Sequence, residues 1–446
     1  MNDCFRESTP GLRAGTTIPA GDRGRGLPAA RCPIGVSSFR SVARRFVLAL
    51  CAATAGLCAR VEAVPENPPE TYQHPGVVNK MPVFADALRA RLTFPLSWTS
   101  GTFSDFGQWR EQARAKVRSC FLAPPPTAPW QAVVLAEEDR GTYVARKMVF
   151  NLTGDSRVLA LMTVPKGKGP FPAVLLLHDH GARFDIGKEK VIRPFAGDPK
   201  LASAEAWSKI GYGGRFVGDE LAQRGYVCFA IDALNWSDRG GGGYDAQASI
   251  ASNLMHLGMS FAGLIAWEDL RSADFLAERP EVDARRIAAI GWSLGGFRAW
   301  QLAAMSDHIM AGAAICWMTE IQSVMSPGNN QTQSISAFTM LHPGLFAQLD
   351  YPDIASIACP KPMLFFNGRK DKLFPVDGVE RAYAKMRAVW TSQGAADRLT
   401  TRFWDVGHTF NADMQDAVFA WLDGVMADRR PAPAAVPHHR SSLPGS

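Results

Sequence analysis

The chain has 446 residues, 47% hydrophobic and 20% charged, a composition that excludes a fibrous or wholly disordered protein and suits one large α/β domain with additions. Nine of its 48 Lys and Arg but only four of its 42 Asp and Glu lie in the first 63 residues, so the rest is nearly neutral despite a formal net charge of +6. No stripe of basic residues interleaved with aromatics is present, which argues against nucleic acid as a partner.

Arg44 and Arg45 precede an apolar run over residues 46–59, too short to span a bilayer and of the length of a signal-peptide core. Val61-Glu62-Ala63 supplies the small residues a signal peptidase needs, so cleavage is expected after Ala63 and the protein is expected to be exported, to the periplasm or outside the cell. The paired arginines also resemble a twin-arginine export motif, though such pairs are common in ordinary leaders. Residues 1–63 are therefore read as a leader, with no stable membrane span left in the mature chain. Residues 64–75 are Pro-rich and polar, an arm or linker.

Phe84, Leu88 and Leu92, then Trp109, Ala113 and Val117, recur at helical spacing, so residues 64–130 are read as a linker and helical extension. Strands are expected at 133–135, 143–150 and 157–164, separated by polar turns. From Pro172 the pattern becomes alternating strand and helix: strands at 173–177, 226–231, 287–290, 311–316, 362–366 and 400–404, helices at 217–224, 250–278, 296–305, 379–391 and 412–426. That alternation predicts an α/β fold with a doubly wound, mainly parallel sheet over residues 131–426. Residues 427–446, rich in Pro, Arg and Ser, read as a disordered tail. Cys228 and Cys316 fall in apolar strands and read as buried thiols; Cys120 and Cys359 are the two that an oxidising compartment would leave to pair.

The apolar strand at 287–290 breaks at Gly291-Trp292-Ser293-Leu294-Gly295 and restarts as a helix, the context that a G-x-S-x-G nucleophile elbow requires. A serine is inert at its own pKa and needs a base, which in turn needs an orienting carboxylate. Downstream of Ser293, His408 lies between the last predicted strand and last helix and is the base of choice, with His342 as competitor. Asp371, after the strand ending at Phe366 and a Gly turn, is the acid; Asp377 and Glu320 are alternatives. Oxyanion N–H donors are expected from Leu294, immediately after the nucleophile, and from His180 in the loop His178-Asp179-His180-Gly181, with Asp179 or Gly181 as alternatives. His-x-His also has the form of a metal pair, but no matching third ligand lies nearby in sequence, so a metal is not expected.

These segments resemble the dienelactone-hydrolase-like and acetylxylan-esterase-like branch of the α/β-hydrolase superfamily, over about residues 157–426. The resemblance implies a cofactor-free serine esterase working through an acyl-enzyme, although dienelactone hydrolases themselves carry a cysteine where this chain has Ser293. Ala314-Ile315-Cys316-Trp317 with Glu320 also resembles glucuronoyl esterases, some of which take their acid from that region, but the elbow differs. Competing readings are a prolyl-oligopeptidase-like peptidase, for whose propeller residues 64–150 are too few, and a catalytically silent binding protein on the same fold. The insertion at 183–215, with Lys188, Lys190, Trp207 and Tyr212, and the aromatics Trp236, Trp292 and Trp317 are candidates for contact with a carbohydrate or aryl ester.

Overall fold

Residues 173–177 and 287–290 are apolar without alternation, as strands covered on both faces must be. The computed structural model describes residues 76–427 except 79, 327 and 328. The expected leader with its cleavage site, the expected 64–75 arm and the expected tail beyond 427 lie outside the described residues. A nine-stranded sheet runs through the molecule. In chain order its strands are β1 (Val133–Asp139), β2 (Tyr143–Asn151), β3 (Arg157–Pro165), β4 (Phe171–Leu177), β5 (Val227–Ile231), β6 (Val282–Trp292), β7 (Ile309–Ile315), β8 (Met363–Gly368) and β9 (Leu399–Trp404). Their order across the sheet is β9-β8-β7-β6-β4-β5-β3-β2-β1, and from β9 to β5 every pairing is parallel. β1, β2 and β3 form an antiparallel meander that joins the edge of β5.

The two faces divide the core by the period of two of a strand. Ala173, Leu175 and Leu177 of β4 pack with Ile287 and Ala289 of β6 on one side, while Val174 and Leu176 pack with Ala288 and Ile290 on the other. β4 pairs with β6 on one side and β5 on the other, so the chain changes winding direction at β4. In open α/β sheets that switch opens a crevice at the carboxyl ends of the strands, and the Gly291–Gly295 turn lies at one of those ends.

Two elements differ from the sequence reading. The single helix expected at 250–278 is two, Gly243–His256 and Phe261–Ala277, because Gly258 takes a left-handed φ of 81° and Ser260 caps the second by accepting the Gly263 N–H. Only Ala85–Ala90 is helical near Phe84 and Leu88, and both of those side chains are exposed. The helix Phe106–Cys120, by contrast, buries Trp109, Ala113, Val117 and Cys120 on one face. Cys120, Cys228, Cys316 and Cys359 are all buried free thiols, so Cys120 and Cys359 are not paired. No described helix is long and apolar enough to cross a membrane.

Candidate active site

Ser293 sits between β6 and the helix Leu294–Met305 at φ 57° and ψ −126°, a backbone conformation costly for a residue with a Cβ. The turn closes so tightly that a Cβ on Gly291 would lie 2.1 Å from the Gly295 carbonyl oxygen, and one on Gly295 would lie 1.9 Å from that of Leu177. The Ser293 N–H donates to Ile315 O of the neighbouring strand β7 at 2.9 Å, which fixes the turn over the sheet end.

Two loops converge on the serine. After β8 the chain turns through Arg369 and Lys370 to Asp371; after β9 it runs through Val406 and Gly407 to His408. Backbone bonds from Arg369 N to Trp404 O (2.8 Å) and Lys370 N to Val406 O (2.9 Å) tie the loops together. Gly368 permits this approach, since a Cβ there would lie 2.4 Å from Val406 O. The His408 ring spans the gap, with Nε2 2.8 Å from Ser293 Oγ and Nδ1 2.7 Å from Asp371 Oδ2. Asp371 is buried and its other oxygen accepts the Leu373 N–H at 3.0 Å. A carboxylate on Nδ1 puts the proton there and leaves the Nε2 lone pair for the serine hydroxyl.

The alternatives lie elsewhere. Glu320 Oε1 accepts from Arg381 Nε (2.7 Å) and Ser323 Oγ (3.0 Å), and Asp377 pairs with Arg381 at 3.1 Å. His342 is buried against Phe121 and Phe297, bonded to Gln301 at 2.8 Å, and burial pushes its pKa down to about 3.

Opposite the serine, the 178–181 loop leaves β4. The Leu294 N–H opens a helix and so has no i−4 carbonyl within it. His180 turns its ring away from the turn: Nε2 donates to Gln247 Oε1 at 3.0 Å and Nδ1 accepts the Ala182 N–H at 3.2 Å. His178 donates from Nδ1 to Asp179 O (2.9 Å) and accepts the Ala233 N–H at Nε2 (3.0 Å). Burial lowers the pKa of His180 to about 4 and that of His178 well below the usual histidine value, so both rings are neutral. With every ring nitrogen engaged, the His-x-His pair is structural.

The insertion is also interior. Lys188 is fully buried, its ammonium bonded to Glu189, Asp232 and Asp238 at 2.6–2.8 Å. Lys190 is fully buried behind the 178–181 loop. Asp179 Oδ1 accepts from Trp207 Nε1 (3.2 Å) and Tyr212 OH (2.7 Å). Trp236 is 0% exposed, and Trp292 packs on Trp207 and Tyr212. None of these groups lies open to a substrate, because the insertion packs its side chains into the core on the sheet face. Among the described residues, two clusters have metal-ligand spacing: Cys316, Asp371 and His408, and the carboxylates around Lys188. The first contains the serine's base and acid, and the second already encloses an ammonium.

The sequence names Lys190 and Cys316 but does not disclose their places: Cys316 stands behind the base with Sγ 3.4 Å from Thr409 O. The sequence offers Lys190 as a candidate for substrate contact, and only the fold places it under a loop 10 residues earlier.

A family model described as Abhydrolase family matches residues 73–392, which takes in the elbow and Asp371 and ends before His408. A Bacillus subtilis protein provisionally named hydrolase YtaP is 29% identical over 274 residues, 61% of this chain and 85% of that one. Among solved structures, a Bacteroides fragilis protein provisionally assigned as an acetyl xylan esterase superposes with a TM-score of 0.54 at 18% identity, covering 72% of this chain and 81% of its own. A glucuronoyl esterase from Solibacter usitatus superposes with a TM-score of 0.55 at 14% identity, over 75% of this chain and 98% of that one. At these identities the structural likeness concerns the fold.

Proposed function

The chain belongs to the Abhydrolase family, and from that membership we propose that it is a serine hydrolase cleaving carboxylic esters through an acyl-enzyme at Ser293. The observation that carries the reading is the unbroken chain of bonds from Ser293 Oγ through His408 to Asp371. His408 Nε2 takes the hydroxyl proton as Ser293 Oγ bonds to the acyl carbon, and Asp371 stabilises the imidazolium that results. The N–H groups of Leu294 and His180 receive the negative oxygen of the tetrahedral intermediate. As the C–O bond breaks, His408 returns the proton to the departing alkoxide, and water repeats the sequence to release the acid.

Esters are favoured over amides because an alkoxide leaves with less assistance than an amine. For the natural substrate we propose an acyl ester of a carbohydrate. The solved structures named as acetyl xylan and glucuronoyl esterases support that choice. Purified protein assayed on p-nitrophenyl acetate, acetylated xylan and aminoacyl p-nitroanilides tests this. Ester turnover above anilide turnover is expected; the reverse order overturns the ester reading in favour of a peptidase.

A further inference from the structure

An oxyanion donor is effective only if it is held in place before the charge forms. The His180 N–H belongs to a loop, and what holds it is visible on the opposite side of the same peptide. The carbonyl of the Asp179–His180 peptide accepts from Lys190 Nζ at 3.0 Å and from His178 Nδ1 at 2.9 Å. In a trans peptide the C=O and N–H point in opposite directions, so an anchor on one aims the other. The next carbonyl, His180 O, accepts from the same Lys190 Nζ at 2.9 Å and from Trp236 Nε1 at 3.2 Å. The third contact of the ammonium is Asp179 Oδ2 at 3.5 Å. An ammonium has three N–H bonds, and these three acceptors match them.

The arrangement is buried throughout, since Lys190 and Asp179 are each 0% exposed. Gly181 closes the loop at φ 57°, where a Cβ would lie 2.3 Å from Asp179 Oδ2, so the carboxylate too has a single place to sit. Burying a charge is costly unless its bonds are complete. Two neutral N–H donors would satisfy the same carbonyls without that cost. A cation does more, because positive charge on a carbonyl oxygen draws electron density through the amide and strengthens the N–H at its other end.

We propose that Lys190 is a positioning residue of the oxyanion hole: its ammonium anchors and polarises the Asp179–His180 peptide so that the His180 N–H faces the developing oxyanion. This rests on the hydrolase reading above and on His180 as donor. It gives the 183–215 insertion a role in the chemistry from behind the loop, where it touches no substrate.

Lys190→Met keeps the length and removes the charge and donors. With p-nitrophenyl acetate we expect kcat to fall by about tenfold to a hundredfold, less than for outright loss of a donor, with KM within about twofold. Phenylboronic acid, which forms a tetrahedral adduct on the serine, should lose affinity by the same factor as kcat/KM. A folded Lys190→Met protein with unchanged kcat overturns the proposal, as does a fall in kcat with unchanged phenylboronic acid affinity. Should circular dichroism show Lys190→Met unfolded, Lys190→Gln, which keeps donors without the charge, carries the same two readouts. Ser293→Ala separates this from the parent reading. Retained ester turnover in Ser293→Ala removes the hydrolase itself, whereas an inactive Ser293→Ala beside a fully active, folded Lys190 variant removes only the role of Lys190.

Discussion

Ser293, His408 and Asp371 are separated by long stretches of chain, yet two bonds of 2.8 and 2.7 Å make them one unit. Groups that act as a unit lose activity together, so Ser293→Ala and His408→Ala should each abolish most turnover and the double variant should fall little further. Fluorophosphonate labelling of Ser293→Ala, or additive losses, contradicts this. Asp371→Asn should lower kcat by about 10⁴-fold, because an amide at Nδ1 favours the wrong tautomer. Glu320→Gln should stay near wild type, since Glu320 is spent on Arg381 and Ser323; a large loss there with a small one at Asp371 exchanges the two acids. These residues were legible because a nucleophile elbow fixes neighbours in sequence and chain order orders the rest. The role of Lys190 was not, because its two shortest contacts are backbone carbonyls, which no side-chain pattern records.

The elements show why some spacing signals carried and others did not. Strands β4 and β6 announce themselves because burial on both faces leaves them apolar through their central residues. The break at 257–259 is hidden because apolar residues continue through it, and only Gly258 and the cap at Ser260 betray it. The elbow is the least tolerant junction. Gly295→Ala drives a methyl into the Leu177 carbonyl, a rigid obstacle, so the loss should reach at least the ~1–3 kcal/mol of ordinary overpacking, seen as a lower Tm together with lost activity. A wild-type Tm would show that the turn relaxes.

A second junction carries a pH signature. Asp350, which caps the helix Tyr351–Ser356, is buried beside Asp353, and burial pushes its pKa up to about 7 despite the N–H groups of Ile321 and Tyr351 and the ammonium of Lys385. The folded chain keeps this proton up to about pH 7, while the unfolded chain releases it near the ordinary aspartate value of about 3.9. Between those limits the unfolded state binds fewer protons, so this group makes stability fall as pH rises. Asp350→Asn should flatten that slope in urea melts from pH 4.5 to 8; an unchanged slope assigns it to other groups.

At the scale of the whole molecule, the charge and the cysteines divide at the same place in the chain. Cys4, Cys32, Cys51 and Cys58 lie with the excess arginine in the first 63 residues, and the chain beyond Ala63 is nearly neutral. The four remaining thiols are buried and unpaired, and burial pushes that of Cys359 up to about 12 and those of Cys228 and Cys316 higher still. A thiol is reactive as the thiolate and must be reached by its oxidant, so thiols buried in the core need no partner in an oxidising compartment. The Tm should accordingly be the same with and without dithiothreitol; a shift on reduction would reveal a disulfide. The apolar run at 46–59 behind Arg44 and Arg45, with Val61-Glu62-Ala63 at its end, has the parts of a cleavable export signal. We therefore expect protein recovered from its native host to begin at Val64 and to fractionate outside the cytoplasm. N-terminal sequencing decides the point, and recovery of the chain with its 1–63 segment intact in the cytoplasmic fraction would remove the export proposal while leaving the esterase reading untouched.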